Sequence, residues 1–226
     1  MDPVPVLAES SLFKGMNAQE LETLAPALKP RTYAKGSYIF HEGDPGNALY
    51  VVHSGQIKIC RIGPGGEEAI YALLMPGDSF GEIALLSDEA VRTADAQAME
   101  LTECVTLGRE PFLAFLERHP SMMRHLVMVL SRYVQAADES FAEVAFLDIT
   151  GRVARKLLDL AQEHGEKTAE GTRIKIRLSQ QTLASMVAAS RENVNRALHR
   201  FTVRGDIKQD GGVITILRPA ELRKRA

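Results

Sequence analysis

Residues 76–97 read PGDSFGEIALLSDEAVRTADAQ, and they set a carboxylate (Glu82), a guanidinium (Arg92) and a hydroxyl (Thr93) beside the apolar run 83–86. A charge in an apolar setting is costly unless something pairs with it. These groups therefore call for a partner, either another protein group or a ligand. A second set lies in LSQQTLASMVAASRENVNRALHRF, where Arg191, Glu192, Asn193, Asn195, Arg196 and His199 follow Ser190. On one helix face, Arg can bond guanine O6 and N7 and Glu can accept from cytosine N4. Ser179, Gln181 and Ser190, with the backbone amides of helix starts, suit phosphate.

The elements needed to position these groups are legible in the periodicity. NAQELETLAPAL opens as a helix capped by Asn17, with Glu20 at the capping-box position and Pro30 marking its end. From Thr32 to Gly108 short runs such as ALYVV, QIKICRI, AIYALL and CVTL read as strands. Glycine-bearing stretches divide them, which predicts a small antiparallel barrel or sandwich. EPFLAFLERHP is a short helix stopped by Pro120. A run of nearly thirty residues without Gly or Pro follows. In it Met123, Val127, Leu130, Val134, Ala137, Phe141 and Val144 alternate steps of four and three, the seam of a paired helix, while Leu126, Val129 and Tyr133 widen the apolar surface.

Asp148 and Gly151 interrupt that pattern, so DITG reads as a hinge before the amphipathic RVARKLLDLAQEHG. RIKIRL reads as a strand, and DIKQDGGVITIL as a hairpin turning at Asp210, Gly211 and Gly212. Between them Ser179 caps a first helix carrying Leu183, Met186 and Val187. The chain turns at Ala188 and Ala189, and Ser190 caps a second helix with Val194, Leu198 and Phe201 inward. This is the grammar of a helix-turn-helix.

Charge is divided unevenly. Residues 171–226 hold 12 Lys/Arg against 4 Asp/Glu, whereas residues 1–170 hold 15 against 25. A basic C-terminal quarter on an acidic body suits a polyanion partner. No apolar run reaches a membrane span, and the N-terminus lacks the basic flank and apolar core of a signal peptide. Cys60 and Cys104 stand far apart, which argues against a disulfide framework or a thiolate metal site and points to a reducing cytoplasm. No metal is expected. No HExxH, P-loop or Ser/His/Asp motif accompanies the barrel, so an attached enzyme is not expected either.

Three stretches, FGEIALLSDEAVRTADA, AFLDITGRVARKLLDLA and LSQQTLASMVAASRENVNRAL, give the chain a resemblance to the CRP/FNR superfamily of bacterial transcription regulators, nearest its cyclic-AMP receptor branch. SRENVNRAL is similar to that family's SRETVxRxL recognition helix. The resemblance implies an α+β chain in three parts. Residues 1–119 form an antiparallel β-barrel or jelly-roll domain that binds a cyclic nucleotide. Residues 120–147 form a long dimerisation helix, and 148–226 a winged helix-turn-helix domain. It further implies a homodimer on palindromic double-stranded DNA with TGTGA-like half-sites, and RNA polymerase as a partner.

Family roles carried onto this chain make Arg92 the partner of the cyclic phosphate and Glu82 the acceptor of the ribose 2′-hydroxyl. Thr93 donates to phosphate, and the amides near Gly81, Glu82, Ile83 and Ala84 cradle the remaining oxygens. A guanidinium suits such an anion. The family's adenine-contacting Thr-Ser pair is replaced by Ala137 and Asp138. Ala137 offers a base no side-chain hydrogen bond, whereas Asp138 can accept from adenine or guanine. The expected ligand is cAMP, with cGMP second and a pocket needing no ligand as the alternative. Two cysteines cannot supply the four ligands of the iron–sulfur branch, and the Gly-Glu/Arg-Thr pairing sets the chain apart from haem sensors.

Overall fold

The computed structural model describes residues 3–226. They fall into two compact units, one running to residue 62 and resuming over 70–134, the other comprising 63–69 and 135–226.

The first unit opens with α1 (Pro3–Glu9) and α2 (Ala18–Glu22). Asn17 closes the predicted capping box on α2: its side chain accepts from the Glu20 amide while Glu20 accepts from the Asn17 amide. That helix ends at Glu22, ahead of Pro30, which lies inside β1 (Leu28–Tyr33). Pro30 is tolerated there because β1 is the edge of its sheet, where a missing N–H breaks no internal ladder. The remaining strands are β2 (Tyr38–Phe40), β3 (Ala48–Ser54), β4 (Ile57–Ile62), β5 (Glu68–Leu74), β6 (Ser79–Phe80), β7 (Asp95–Ala98) and β8 (Thr102–Gly108). They form two four-stranded sheets, ordered β1-β8-β3-β6 and β2-β7-β4-β5. The five-residue helix α3 (Glu82–Leu86) joins the edge strand β6 to the segment before β7.

The principal core brings Leu49, Val51, Val105 and Leu107 of β3 and β8 against Phe13, Phe112 and Leu116. Phe112 and Leu116 belong to α4 (Arg109–Arg118). From α5 (Pro120–Phe146) Met122 and Leu126 enter the same core, and Val129 and Leu130 pack on it. Pro120 starts α5, in the first-turn position where its missing N–H costs nothing. Leu126 and Val129 thus belong to the barrel-facing side, and so does Leu130, which the spacing assigns to the seam, while Met123, Val127, Val134, Phe141 and Val144 of the predicted seam are exposed.

In the second unit α6 (Ile149–His164) buries Val153, Ala154, Leu157 and Leu160. Asp148 caps it by accepting from the Gly151 amide at 2.7 Å. The break in the helix therefore falls at Leu147 and Asp148. Gly151, expected in the hinge, lies instead within the first turn of α6, where a Cβ would meet the Arg225 carbonyl oxygen at 2.7 Å. The strand expected over RIKIRL is confined to β10 (Thr172–Ile174), pairing with β9 (Gly165–Lys167). Next come α7 (Gln180–Met186), α8 (Arg191–Val203), β11 (Ile207–Asp210), β12 (Val213–Ile216) and α9 (Pro219–Arg223). The sheet order is β11-β12-β10-β9. Gly211 and Gly212 both carry positive φ, 55° and 84°, which the tight hairpin turn requires.

Candidate ligand pocket and nucleic-acid interface

In the first unit, Gly81, Glu82, Ile83, Ala84 and Arg92 come together around the start of α3. Gly81 precedes the helix with a left-handed φ of 85°. Glu82 is only 2% exposed, and its Oε2 is buried without a hydrogen-bond partner. Burial raises its carboxyl above the ordinary range, while its own backbone amide, the Tyr133 hydroxyl and the Arg92 charge act in the other direction. Ala84 points inward, Ile83 outward.

Arg92 is 3% exposed. Its Nη1 donates to the Gly81 carbonyl at 2.8 Å and its Nη2 to the Ala48 carbonyl at 2.7 Å, leaving the buried Nε without a partner. The guanidinium lies 4.1 Å from the centroid of the Phe40 ring and 5.6 Å from that of Tyr50, distances at which a cation is attracted to a ring face. Tyr50 in turn stacks on Phe80 with centroids 4.9 Å apart. Glu82 and Arg92 form no ion pair within 4 Å; each senses the other's charge from further off. Thr93 is exposed.

Sequence reasoning did not find Ala48, Phe40 or Tyr50. They sit on β3 and β2, in apolar-looking strands, and only the register of the fold brings them to Arg92. Ala137 and Asp138 are exposed on the part of α5 that belongs to the second unit. Among the described residues no cluster of His, Cys, Asp or Glu is arranged to hold a metal ion. Cys60 and Cys104 are unbridged, and burial pushes the Cys104 thiol up to about 12.

In the second unit the predicted helix pair is present. Ser179 accepts from the Thr182 amide at 2.9 Å and Ser190 from the Asn193 amide at 3.3 Å, capping α7 and α8. Ala188, with φ of 49°, makes the turn between them. Val194, Leu198 and Phe201 are buried, while Gln181, Arg191, Glu192, Asn195, Arg196 and His199 are exposed and Asn193 half-buried. Hydrogen bonds from its own backbone amide and from the Ser190 hydroxyl hold the Glu192 carboxyl below its usual range. Gln180 donates to Asn195 at 3.1 Å, and Arg196 donates to Asn193. Arg152 and Arg200 were not anticipated. With Asp148, Thr150, Asn193 and Arg196 they line an open groove of about 420 Å³ beside α8. Helical spacing would have placed Arg200 beside Arg196, whereas Arg152 comes from a separate element.

A jelly roll with buried charges around a short helix, followed in the chain by a winged helix-turn-helix whose second helix presents an exposed polar face, is the architecture of a ligand-binding domain joined to a DNA-binding one. Residues 30–119 match the cyclic nucleotide-binding domain and residues 151–225 the Crp-like helix-turn-helix domain. The CRP-like cAMP-activated global transcriptional regulator of Mycobacterium tuberculosis is 34% identical over 98% of both chains. The cyclic AMP receptor protein of Thermus thermophilus is 35% identical over 96% of this chain and 97% of its own. Among solved structures, the c-di-GMP responsive regulator CLP of Xanthomonas campestris superposes with a TM-score of 0.75 at 25% identity, covering 88% of this chain and 99% of that one. The chain belongs to the CRP/FNR superfamily of transcription regulators, a family of DNA-binding proteins rather than enzymes.

Proposed function

We propose that this protein is a cytoplasmic homodimer whose binding to a palindromic operator is controlled by a cyclic nucleotide, cAMP before cGMP. The observation that carries this reading is the pair of buried, incompletely partnered groups flanking α3, Glu82 Oε2 and Arg92 Nε. Buried polar atoms normally find partners, and a ribose hydroxyl and a cyclic phosphate have the complementary chemistry. Arg92 would hold the phosphate, with Thr93 and the amides of 81–84. Glu82 would accept from the 2′-hydroxyl, and Asp138 would face the base. Arg191, Glu192, Asn195, Arg196 and His199 would read base edges in TGTGA-like half-sites, with Ser179, Gln181 and Ser190 on phosphates. The seam of α5 would pair two copies, and RNA polymerase is the expected downstream partner. Ligand shifts DNA binding only by its differential affinity for the two arrangements of the dimer.

A second reading is favoured by one observation. Two of the three guanidinium nitrogens of Arg92 already donate to the carbonyls of Ala48 and Gly81. A pocket satisfied by its own backbone would bind DNA without ligand.

Calorimetric titration with cAMP and cGMP, paired with operator binding, decides between the two readings. Cyclic di-GMP is a useful third probe because the Xanthomonas relative is described as responsive to it. Saturable cAMP binding that Arg92→Ala abolishes, with the folded dimer retained, supports the first reading. Operator binding unchanged by every nucleotide supports the second.

A further inference from the structure

The helix that carries Glu82 is fastened at both ends by arginines. Before it, Arg92 bonds the Gly81 carbonyl. After it, Arg109 Nε donates to the Leu85 carbonyl at 3.2 Å and Arg109 Nη2 to the Ser87 carbonyl at 3.4 Å. Both arginines also tie back to the same place. Arg92 Nη2 bonds the Ala48 carbonyl at 2.7 Å, and the Arg109 backbone N–H bonds the adjacent Asn47 carbonyl at 2.9 Å.

α3 has five residues, too few to stand on its internal hydrogen bonds. Its last carbonyls lack intrahelical partners and carry the negative end of the helix dipole, which a guanidinium complements. Packing restricts movement on one flank, since a Cβ on Gly46 would lie 2.2 Å from the Ala84 Cβ. Glu82 occupies the first turn of this helix and contributes nothing to its C-terminal end.

We propose that Arg109 is a positioning residue of the sensor. By anchoring the C-terminal end of α3, it holds the Glu82 carboxylate at a fixed place relative to Arg92. Arg109 itself touches no ligand. Its effect is transmitted through the turn 82–87 that it anchors. The proposal rests on the reading in which Glu82 accepts from a ribose 2′-hydroxyl.

The test uses the full-length chain as wild type, R109A, R109K and, for reference, E82Q. Amide hydrogen exchange without nucleotide reports the anchoring directly, and R109A should speed exchange over residues 82–87 while the β3 and β8 amides keep their protection. Calorimetry with cAMP and 2′-deoxy-cAMP reports the consequence. R109A should lose about tenfold in cAMP affinity and much less for the 2′-deoxy ligand, so that the ratio between the two approaches that of E82Q. R109K keeps the charge but loses the planar fork whose separate nitrogens reach the two carbonyls, and should fall between wild type and R109A. If R109A fails to fold, R109K carries the same comparison.

Unchanged exchange over 82–87 would overturn the proposal. So would equal losses for the two nucleotides, which signal general loosening. If the wild type binds neither cAMP nor cGMP, the ligand reading itself falls. Exchange alone then judges Arg109, with faster exchange confined to α3 upholding the anchoring and unchanged exchange overturning it.

Discussion

Arg92 Nη1 lies 2.8 Å from the carbonyl oxygen of Gly81, and a Cβ on Gly81 would stand 2.6 Å from that same nitrogen. Gly81 also holds a φ of 85°. Gly81→Ala therefore combines left-handed strain of about 1–2 kcal/mol with displacement of the guanidinium. Gly15 provides the control: its φ is 95°, and a methyl added there would meet no atom within 4 Å. Both variants should lower the melting temperature, but only Gly81→Ala should also abolish cyclic-nucleotide binding in calorimetry.

Glu82 makes a prediction about pH. Its carboxyl is raised chiefly by burial, so the folded state holds the proton more tightly than the unfolded chain. The stability from that proton is complete below the unfolded pKa and is lost as pH rises through the folded one. At neutral pH, above the unfolded pKa, this raised carboxyl consequently weakens the fold. Glu82→Gln keeps the shape without the charge. It should melt higher than wild type near pH 7, by roughly 2–4 °C for each kcal/mol gained, and the difference should vanish as acid protonates Glu82. The same variant should bind cAMP about tenfold or more weakly, the scale of a hydrogen bond to a charged group. Melting curves across pH, with calorimetry at one pH, check both halves.

Much of this arrangement was legible in the sequence, for identifiable reasons. Capping and turn residues act locally, so Asn17, Ser179, Ser190, Gly211 and Gly212 do in the structure what their types predict. The helix-turn-helix was readable because Leu183, Val187, Val194, Leu198 and Phe201 repeat with the period of a helix. Pro30 misled because its effect depends on context: the same missing N–H that ends a helix is tolerated on an edge strand. Gly151 misled because its small size serves close packing against Arg225. The surroundings of Arg92 were illegible for a third reason. Ala48 and Gly81 meet the guanidinium through their carbonyls, and a backbone acceptor leaves no trace in residue type.

Arg191 opens α8 and is exposed, where a recognition helix meets base edges. Arg191→Ala should lower operator affinity by about 1–3 kcal/mol and relax the preference at one symmetric guanine. Binding to random DNA should change little. Titrations of operator, guanine-substituted operator and random duplex at one salt concentration separate the outcomes. Equal losses on all three would make Arg191 a phosphate contact.

Phe141 and Val134 are 77% and 61% exposed along the α5 seam, whereas Met122 and Leu126 on another face of the helix are buried in the barrel core. A helix that has already satisfied one apolar face, yet presents a second at alternating steps of four and three, suits pairing with a copy of itself. Burying a phenyl ring contributes about 1.5–3 kcal/mol per copy. Phe141→Glu removes that and sets two carboxylates near each other across the seam. Sedimentation should show a dimer for wild type and a monomer for the variant at the same micromolar concentration, with the barrel's circular dichroism intact. Operator binding should weaken far more than binding to a single half-site, because only a dimer engages both halves at once. A variant that remains dimeric would place the pairing surface elsewhere on the chain.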